Sequence, residues 1–291
     1  MQDLVYEIRP RCRPMNRENL GSLLEHVNAI PAAPKVVREL ITACEGPDAD
    51  VDRIARLLGS DPVLAARVLR LANSAFYARQ SQISRLQDAV IFVGTHATRN
   101  LVMSVQLASM IRFPPEFPTR AFWHYSVNCA VATQYLAKEA RQDAETGFAV
   151  GLVRGIGLPI VAAGMRDSVK EVDAICPFYD YARTSVERDR LGFSHVELSV
   201  ALAQRWSFPP EMITPLQQSE RAIPSAEGSK MGALVAAGAW LAGEYEWSSQ
   251  APSWIPDHAR AHLRAANLDD EIVRQMPSLN TLSADLASLT A

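Results

Sequence analysis

Apolar residues recur at helical spacing along almost the whole chain, and glycine or proline stops each run early, while no segment alternates as a strand would. Val36, Val37, Leu40, Ile41 and Cys44 form a first run after Pro34, and Gly46-Pro47 ends it. Asp50 is placed to cap a second helix carrying Val51, Ile54, Leu57 and Leu58, which Gly59 closes. Asp61-Pro62 opens a third: a capping residue, then a proline whose missing N–H is harmless, with Leu64, Val68 and Leu71 on the inner face. Residues 87–93 read as a helix stopped at Gly94, and Leu101, Val102, Val105, Ala108 and Met110 mark a longer one ended by Pro114, Pro115 and Pro118. A long helix is expected over 122–139 and an apolar one over 148–163, locally weakened by Gly151, Gly155 and Gly157. Two more follow over 180–190 and 195–206, halted by Pro209-Pro210. The pattern predicts an all-α, multi-helix bundle. Residues 219–229, with Pro224 and Gly228, read as a linker into a helical C-terminal region that starts at Met231 and ends with an amphipathic piece over 280–289.

At 291 residues the chain can bury a sizeable core as one large domain or two ordinary ones. Its formal net charge of −3 advertises no basic face, so nucleic acid falls down the order of partners. Cys12, Cys44, Cys129 and Cys176 make no C-x-x-C pair and are expected as buried, reduced thiols. Residues 1–16 carry Glu7, Arg9, Arg11 and Arg13 without an apolar h-region, which argues against a secretory signal. Of the two most apolar stretches, 148–164 is interrupted by Arg154 and 233–243 is too short to span a bilayer. A soluble, cytoplasmic chain is the expectation, with no membrane partner.

Several blocks then match a known family in order. Ile30-Pro31-Ala32-Ala33-Pro34 is similar to the proline-flanked opening of HDOD (HD-related output) domains, and 60–64 with 68–77 (Ser60-Asp61-Pro62, then Leu71-Ala72-Asn73-Ser74) resembles their most recognisable signature. Residues 83–94, Arg99-Asn100-Leu101-Val102, Phe122-Trp123, Leu191 through Glu197 and Trp206-Ser207-Phe208-Pro209 continue it. The resemblance covers residues 20–218, leaving 1–19 as a leader and 219–291 as linker and small helical C-terminal extension. It implies an HD-like helical bundle and a regulatory module of bacterial signalling that acts through unidentified partner proteins, not an enzyme. HD phosphohydrolases need a His, an adjacent His-Asp pair and a further Asp, because a divalent cation wants imidazole and carboxylate donors converging on it. Where that family carries its His-Asp, this chain reads Gly151-Leu152-Val153-Arg154-Gly155-Ile156-Gly157, and the first His position falls on Tyr125, with His124 one residue out of register. Guanidinium has no lone pair to offer a metal, and glycine has no side chain. The resemblance therefore implies a degenerate metal site at Tyr125, Arg154 and Gly155, with no cofactor.

Each candidate residue also has a plainer reading. Arg154 could stand in for the lost cation and hold an anionic small ligand, or it could pair with a nearby carboxylate, the commoner fate. His195 follows a plausible Ser194 cap and is weighed as a structural hydrogen-bonder rather than a catalyst. Arg99 and Asn100 could contact a partner from an exposed helix face, or be simply solvated there. Asn73 fits a helix-end cap, and Trp123 and Trp206 read as core anchors. Two other function classes stay open. A residual metal-dependent phosphohydrolase could use Asp143, Glu145 and Asp167, and a nucleic-acid adaptor could use Arg53, Arg56, Arg67 and Arg70. No serine-hydrolase elbow, P-loop or H-E-x-x-H zinc motif occurs.

Overall fold

In the computed structural model the described residues are 23, 35–44, 49–73, 82–221, 224, 228–248, 252, 254–284 and 286. Among them there are helices and no strand. The leader over 1–19, the Pro34 and Gly46-Pro47 punctuation and Cys12 lie outside the described residues.

The N-terminal part comprises α1 (Lys35–Ala43), α2 (Val51–Gly59), α3 (Pro62–Ala72), α4 (Leu86–Val93) and α5 (Thr95–Ser109). Their starts are built as the sequence indicates. Asp50 accepts the Arg53 N–H at 3.0 Å, and Asp61 accepts those of Val63 and Leu64 at 2.9 and 3.1 Å, so side chains satisfy the orphan donors of each first turn. Asn73 does more than cap a helix end. Its amide donates to the Leu69 and Ile83 carbonyls at 2.7 and 2.8 Å, and its oxygen accepts the Ile83 N–H at 2.7 Å.

The middle of the molecule is α6 (Thr119–Glu139), α7 (Ala144–Val153), α8 (Gly157–Gly164) and α9 (Arg166–Asp173). The single helix expected over 148–163 is two, because the chain turns through Arg154, Gly155 and Ile156 before Gly157 restarts it. Together 144–164 is long and apolar enough to cross a membrane, with mean hydropathy 1.6, but 83% of its most apolar window is buried inside the protein. Then follow α10 (Arg183–Leu191), α11 (His195–Arg205), α12 (Pro210–Gln218), α13 (Lys230–Ser248), α14 (Asp257–Ala265), α15 (Glu271–Gln275) and α16 (Leu279–Ser283).

The helical C-terminal extension is docked on the bundle. Helix α13 is buried along most of its length, lies along α6, and shares one hydrophobic core with the N-terminal helices. Its alanines and glycines bury little area each, but they let it come close. A Cβ on Gly238 would collide with the Thr133 hydroxyl and stand 3.0 Å from the Thr133 backbone nitrogen. On an adjacent face of α6, a Cβ on Gly151 of α7 would stand 2.8 Å from the Ala130 Cα and 2.9 Å from the Cys129 carbonyl oxygen. Helix α6 is thus held against two neighbours at backbone contact.

Backbone atoms cannot rotate away as a side chain would, so Gly151→Ala should be costly despite the better helix propensity of alanine. We expect a loss of roughly 1–3 kcal/mol in urea unfolding, with an unchanged slope. An unaltered midpoint would show that α6 and α7 are free to move apart.

Candidate functional site

Tyr125 lies on the inner face of α6, 4% exposed, and Arg154 follows the last residue of α7, 5% exposed. Two of the three positions at which the resemblance expects metal ligands are brought together: an Arg154 Nη1 donates to the Tyr125 hydroxyl over a long 3.4 Å. Ser199 of α11 fixes the turn that carries the arginine, its hydroxyl standing 2.8 Å from the Arg154 carbonyl oxygen and accepting the Gly157 N–H at 2.9 Å. Gly155 lies in the same turn, where a Cβ would be 3.3 Å from the Phe122 ring. The ring of Tyr125 meets that of Phe178 edge-on, with centroids 5.9 Å apart.

Arg154 is weakly satisfied. Its Nε is buried without a hydrogen-bond partner, and no carboxylate among the described residues forms an ion pair with it. The commoner fate expected for it, a structural ion pair, is therefore not what the described residues supply. Its charge is felt by the buried groups around it. Burial pushes the Tyr125 phenol above its ordinary range and the Cys129 thiol up to about 11, and in both the guanidinium pulls back. Burial likewise pushes Tyr181 up to about 12, with Arg154 opposing it, and depresses His262 to about 4, with the neighbouring His258 and the distant arginine adding to the effect. These groups are neutral near pH 7, so none offers Arg154 a counter-charge.

Tyr125, Arg154 and Gly155 do not fit a divalent cation. A buried guanidinium stands where an imidazole or carboxylate donor is needed, and a cation placed beside it would be repelled. Among the described residues no three His, Cys, Asp or Glu side chains are grouped as metal ligands. His124 points outward and pairs with Glu246. The carboxylates considered for residual hydrolysis are engaged elsewhere or apart: Asp143 caps α7 and accepts from Thr146 at 2.6 Å, Glu145 accepts from Gln134, and Asp167 is exposed beside Lys170.

His195 belongs to a second buried cluster. Its backbone N–H and its Nδ1 both lie 2.7 Å from one carboxylate oxygen of Glu187 on α10, whose other oxygen accepts the Arg183 Nε at 2.8 Å. Arg183 goes on to Asp173 at 2.6 Å and to the Cys176 carbonyl at 2.8 Å. Burial alone would raise the Glu187 carboxyl, but His195 and Arg183 outweigh it and hold it down at about 2. Ser194 caps α11 as expected, accepting the Glu197 N–H at 3.2 Å. Glu187 and Ser199 were not singled out from the sequence. The spacing of Arg183 and Glu187 by four residues was the available signal for the first, and nothing local marked the second.

Arg99 and Asn100 are not on an exposed face. They are 7% and 1% exposed, and they form an interior brace. Arg99 pairs with Glu211 at 2.6 Å and with the Asn100 side-chain oxygen, and the Asn100 amide donates to Thr146 at 2.9 Å. Helix α5 presents them inward because its other faces are also covered, which a local reading of polar residues could not register. Arg53 and Arg56 are exposed, whereas Arg67 and Arg70 are half-buried, so the four do not form one open face. Trp206 is buried and Trp123 half-buried.

Comparisons with known proteins bear on the family and the fold. The model of the HDOD domain family matches residues 30–222. A crystal structure of a candidate phosphohydrolase from Shewanella amazonensis SB2B superposes with a TM-score of 0.71 at 25% identity, covering 93% of this chain and 98% of that one. One of an HDOD domain protein with unknown function from Geobacter sulfurreducens gives 0.60 at 24% identity, covering 94% and 90%. A curated protein of Treponema pallidum (strain Nichols), named as uncharacterized, is 23% identical over 199 residues, 68% of this chain. The chain spans only 39% of that relative's length. The bundle is HD-like and all-α.

Two outcomes follow from the buried charges. Arg154→Met removes an unpaired cation at similar volume, so the ligand-free protein should gain about 1–3 kcal/mol in chemical unfolding. A loss of that size would mean that Arg154 has a partner that the described residues do not supply. Glu187 has a folded-state pKa of about 2 against 4.5, so its stabilisation is complete above pH 4.5 and drains as the pH falls towards 2. Stability measured against pH should fall in that window, and Glu187→Gln should flatten the fall. Equal slopes would sink the assignment.

Proposed function

We propose that the chain, which belongs to the HDOD family, is a non-enzymatic bacterial signalling module that binds partner proteins and takes an anionic small ligand as its input. The observation that carries this reading is the buried guanidinium of Arg154, without an ion pair among the described residues, at a position where the resemblance expects a metal ligand. An isolated charge away from water costs several kcal/mol, and a chain has no physical reason to keep one unless something compensates it in the working state. An anion does so most directly, since a guanidinium presents donors in a fork suited to phosphate or carboxylate oxygens. The cytoplasm is the compartment in which such a module would work.

Regulation then follows from linkage. A ligand that binds the folded state stabilises it in proportion to its affinity, and a turn held by Ser199 between α7 and α8 couples the arginine to α11. No step of hydrolysis is assigned to any residue. The name carried by the Shewanella protein describes that protein and supplies no donor set to this one.

The reading predicts that full-length protein purified without chelator gives no metal-dependent turnover of mono-, di- or cyclic dinucleotides. Stoichiometric transition metal together with turnover would refute it. In thermal-shift titration, inorganic phosphate or a mononucleotide at about one hundred times its Kd should stabilise the wild type by ~2.7 kcal/mol, and Arg154→Met should not respond. An identical response from the variant would place the anion elsewhere.

A further inference from the structure

The sequence over 240–247 places Trp240, Gly243, Glu244 and Trp247 at positions i, i+3, i+4 and i+7, one face of α13. Gly243 lets a loop come down onto that face: a Cβ there would run into the Tyr179 carbonyl oxygen. The loop brings Tyr179, Asp180 and Tyr181 opposite the tryptophans, and the start of α14 adds His258 and, just before it, Trp254. A cleft of about 400 Å³ results, within the size range of small-molecule sites.

Its walls have an unusual composition. Trp247 is 76% exposed and Trp254 68% exposed, and both stand at this cleft, whereas Trp240 at its base is buried. Exposed indoles flanking one cavity are not explained by the fold, which gains nothing from leaving them in water. His258 stacks on Tyr181 with centroids 3.9 Å apart and planes 17° from parallel, so the inner wall is held flat.

The charges are one-sided. Asp180 and Glu244 line the cleft, and neither forms an ion pair among the described residues. Burial raises the Glu244 carboxyl, the Trp240 indole beside it pulls it back, and Asp180 raises it again. His258 is pushed towards its neutral form by burial. Aromatic faces are negative at their centres, and two uncompensated carboxylates add to that field.

We infer that this cleft is a binding site for a small organic cation of the quaternary ammonium type, enclosed by Trp247, Trp254, Tyr179 and Tyr181 and balanced by Asp180 and Glu244. A primary ammonium would need acceptors for three N–H donors at once, and a guanidinium a planar fork of oxygens; with two carboxylates among four enclosing aromatic rings, the lining is weighted towards a cation without donors. A methylated cation carries its charge on a soft apolar surface and has no donor to leave unsatisfied. Arg154 does not line this cleft, although its charge reaches the wall at Tyr181, and the proposal does not rest on the reading of that residue.

The probe is choline, titrated against the full chain by tryptophan fluorescence and calorimetry, beside its neutral isostere 3,3-dimethylbutan-1-ol. Saturable choline binding is expected, with the isostere markedly weaker. Trp247→Ala and Trp254→Ala remove side chains that are mostly in water, and each should weaken choline about three- to thirtyfold without unfolding the protein. Glu244→Gln should weaken choline and leave the isostere unchanged. Equal affinity for choline and the isostere would overturn the proposal, as would affinity unchanged by both tryptophan variants or no binding at millimolar choline. Binding of a trimethyl-lysine peptide without binding of choline would also overturn it, by making the cleft a docking site for protein.

Discussion

The architecture depends on how closely α6 can be approached. Its small residues face glycines of two neighbouring helices, Ala130 against Gly151 and Thr133 against Gly238, at separations that admit no extra carbon. Packing at this distance replaces side-chain interdigitation with backbone contact, where dispersion is strong and tolerance is small. It also sets where Tyr125 points, since that residue shares α6 with both contacts. The position of the candidate site is therefore a consequence of three helices meeting without side chains between them.

The interior holds charge in two opposite ways. Around Glu187 the charges are paired: Arg183 and His195 share the carboxylate, and the Arg183 Nη1 reaches Asp173 at the surface edge, while the His195 Nε2 stays buried without a partner among the described residues. Such a network trades desolvation against Coulomb attraction and fixes the relative placement of α9, α10 and α11. Among the described residues Arg154 has no such arrangement, only a long contact to a phenol. Two guanidiniums on one scaffold, one neutralised and one not, cannot both be explained by folding alone, and that contrast is the main reason to assign a working role to the second.

Much of the fold was legible because helix boundaries are local. Asp50, Asp61 and Ser194 cap where their sequence context says they should, and glycine and proline stops fall near the observed ends. The ordered family blocks identified the bundle and directed attention to Tyr125 and Arg154. What failed was anything decided by the neighbour across the interface. Arg99 and Asn100 read as surface residues because their partners Glu211 and Thr146 lie far along the chain. The helical character of α13 was legible, but how closely it packs was not, because alanine and glycine give weak amphipathic signals while allowing backbone contact. Asp180 and Trp254 meet only through the fold, so their joining with Trp240 and Trp247 had no trace in spacing.

Asn73 offers both amide atoms to the backbone of Ile83, the exchange that one strand residue makes with its neighbour in a ladder. A side chain here imitates a strand in a chain whose described residues form none. Closing the chain between those two residues carries an entropic penalty that loops usually meet with contacts of their own. Here two hydrogen bonds between Asn73 and Ile83 hold the ends, so one side chain sets how the chain leaves α3 and enters α4.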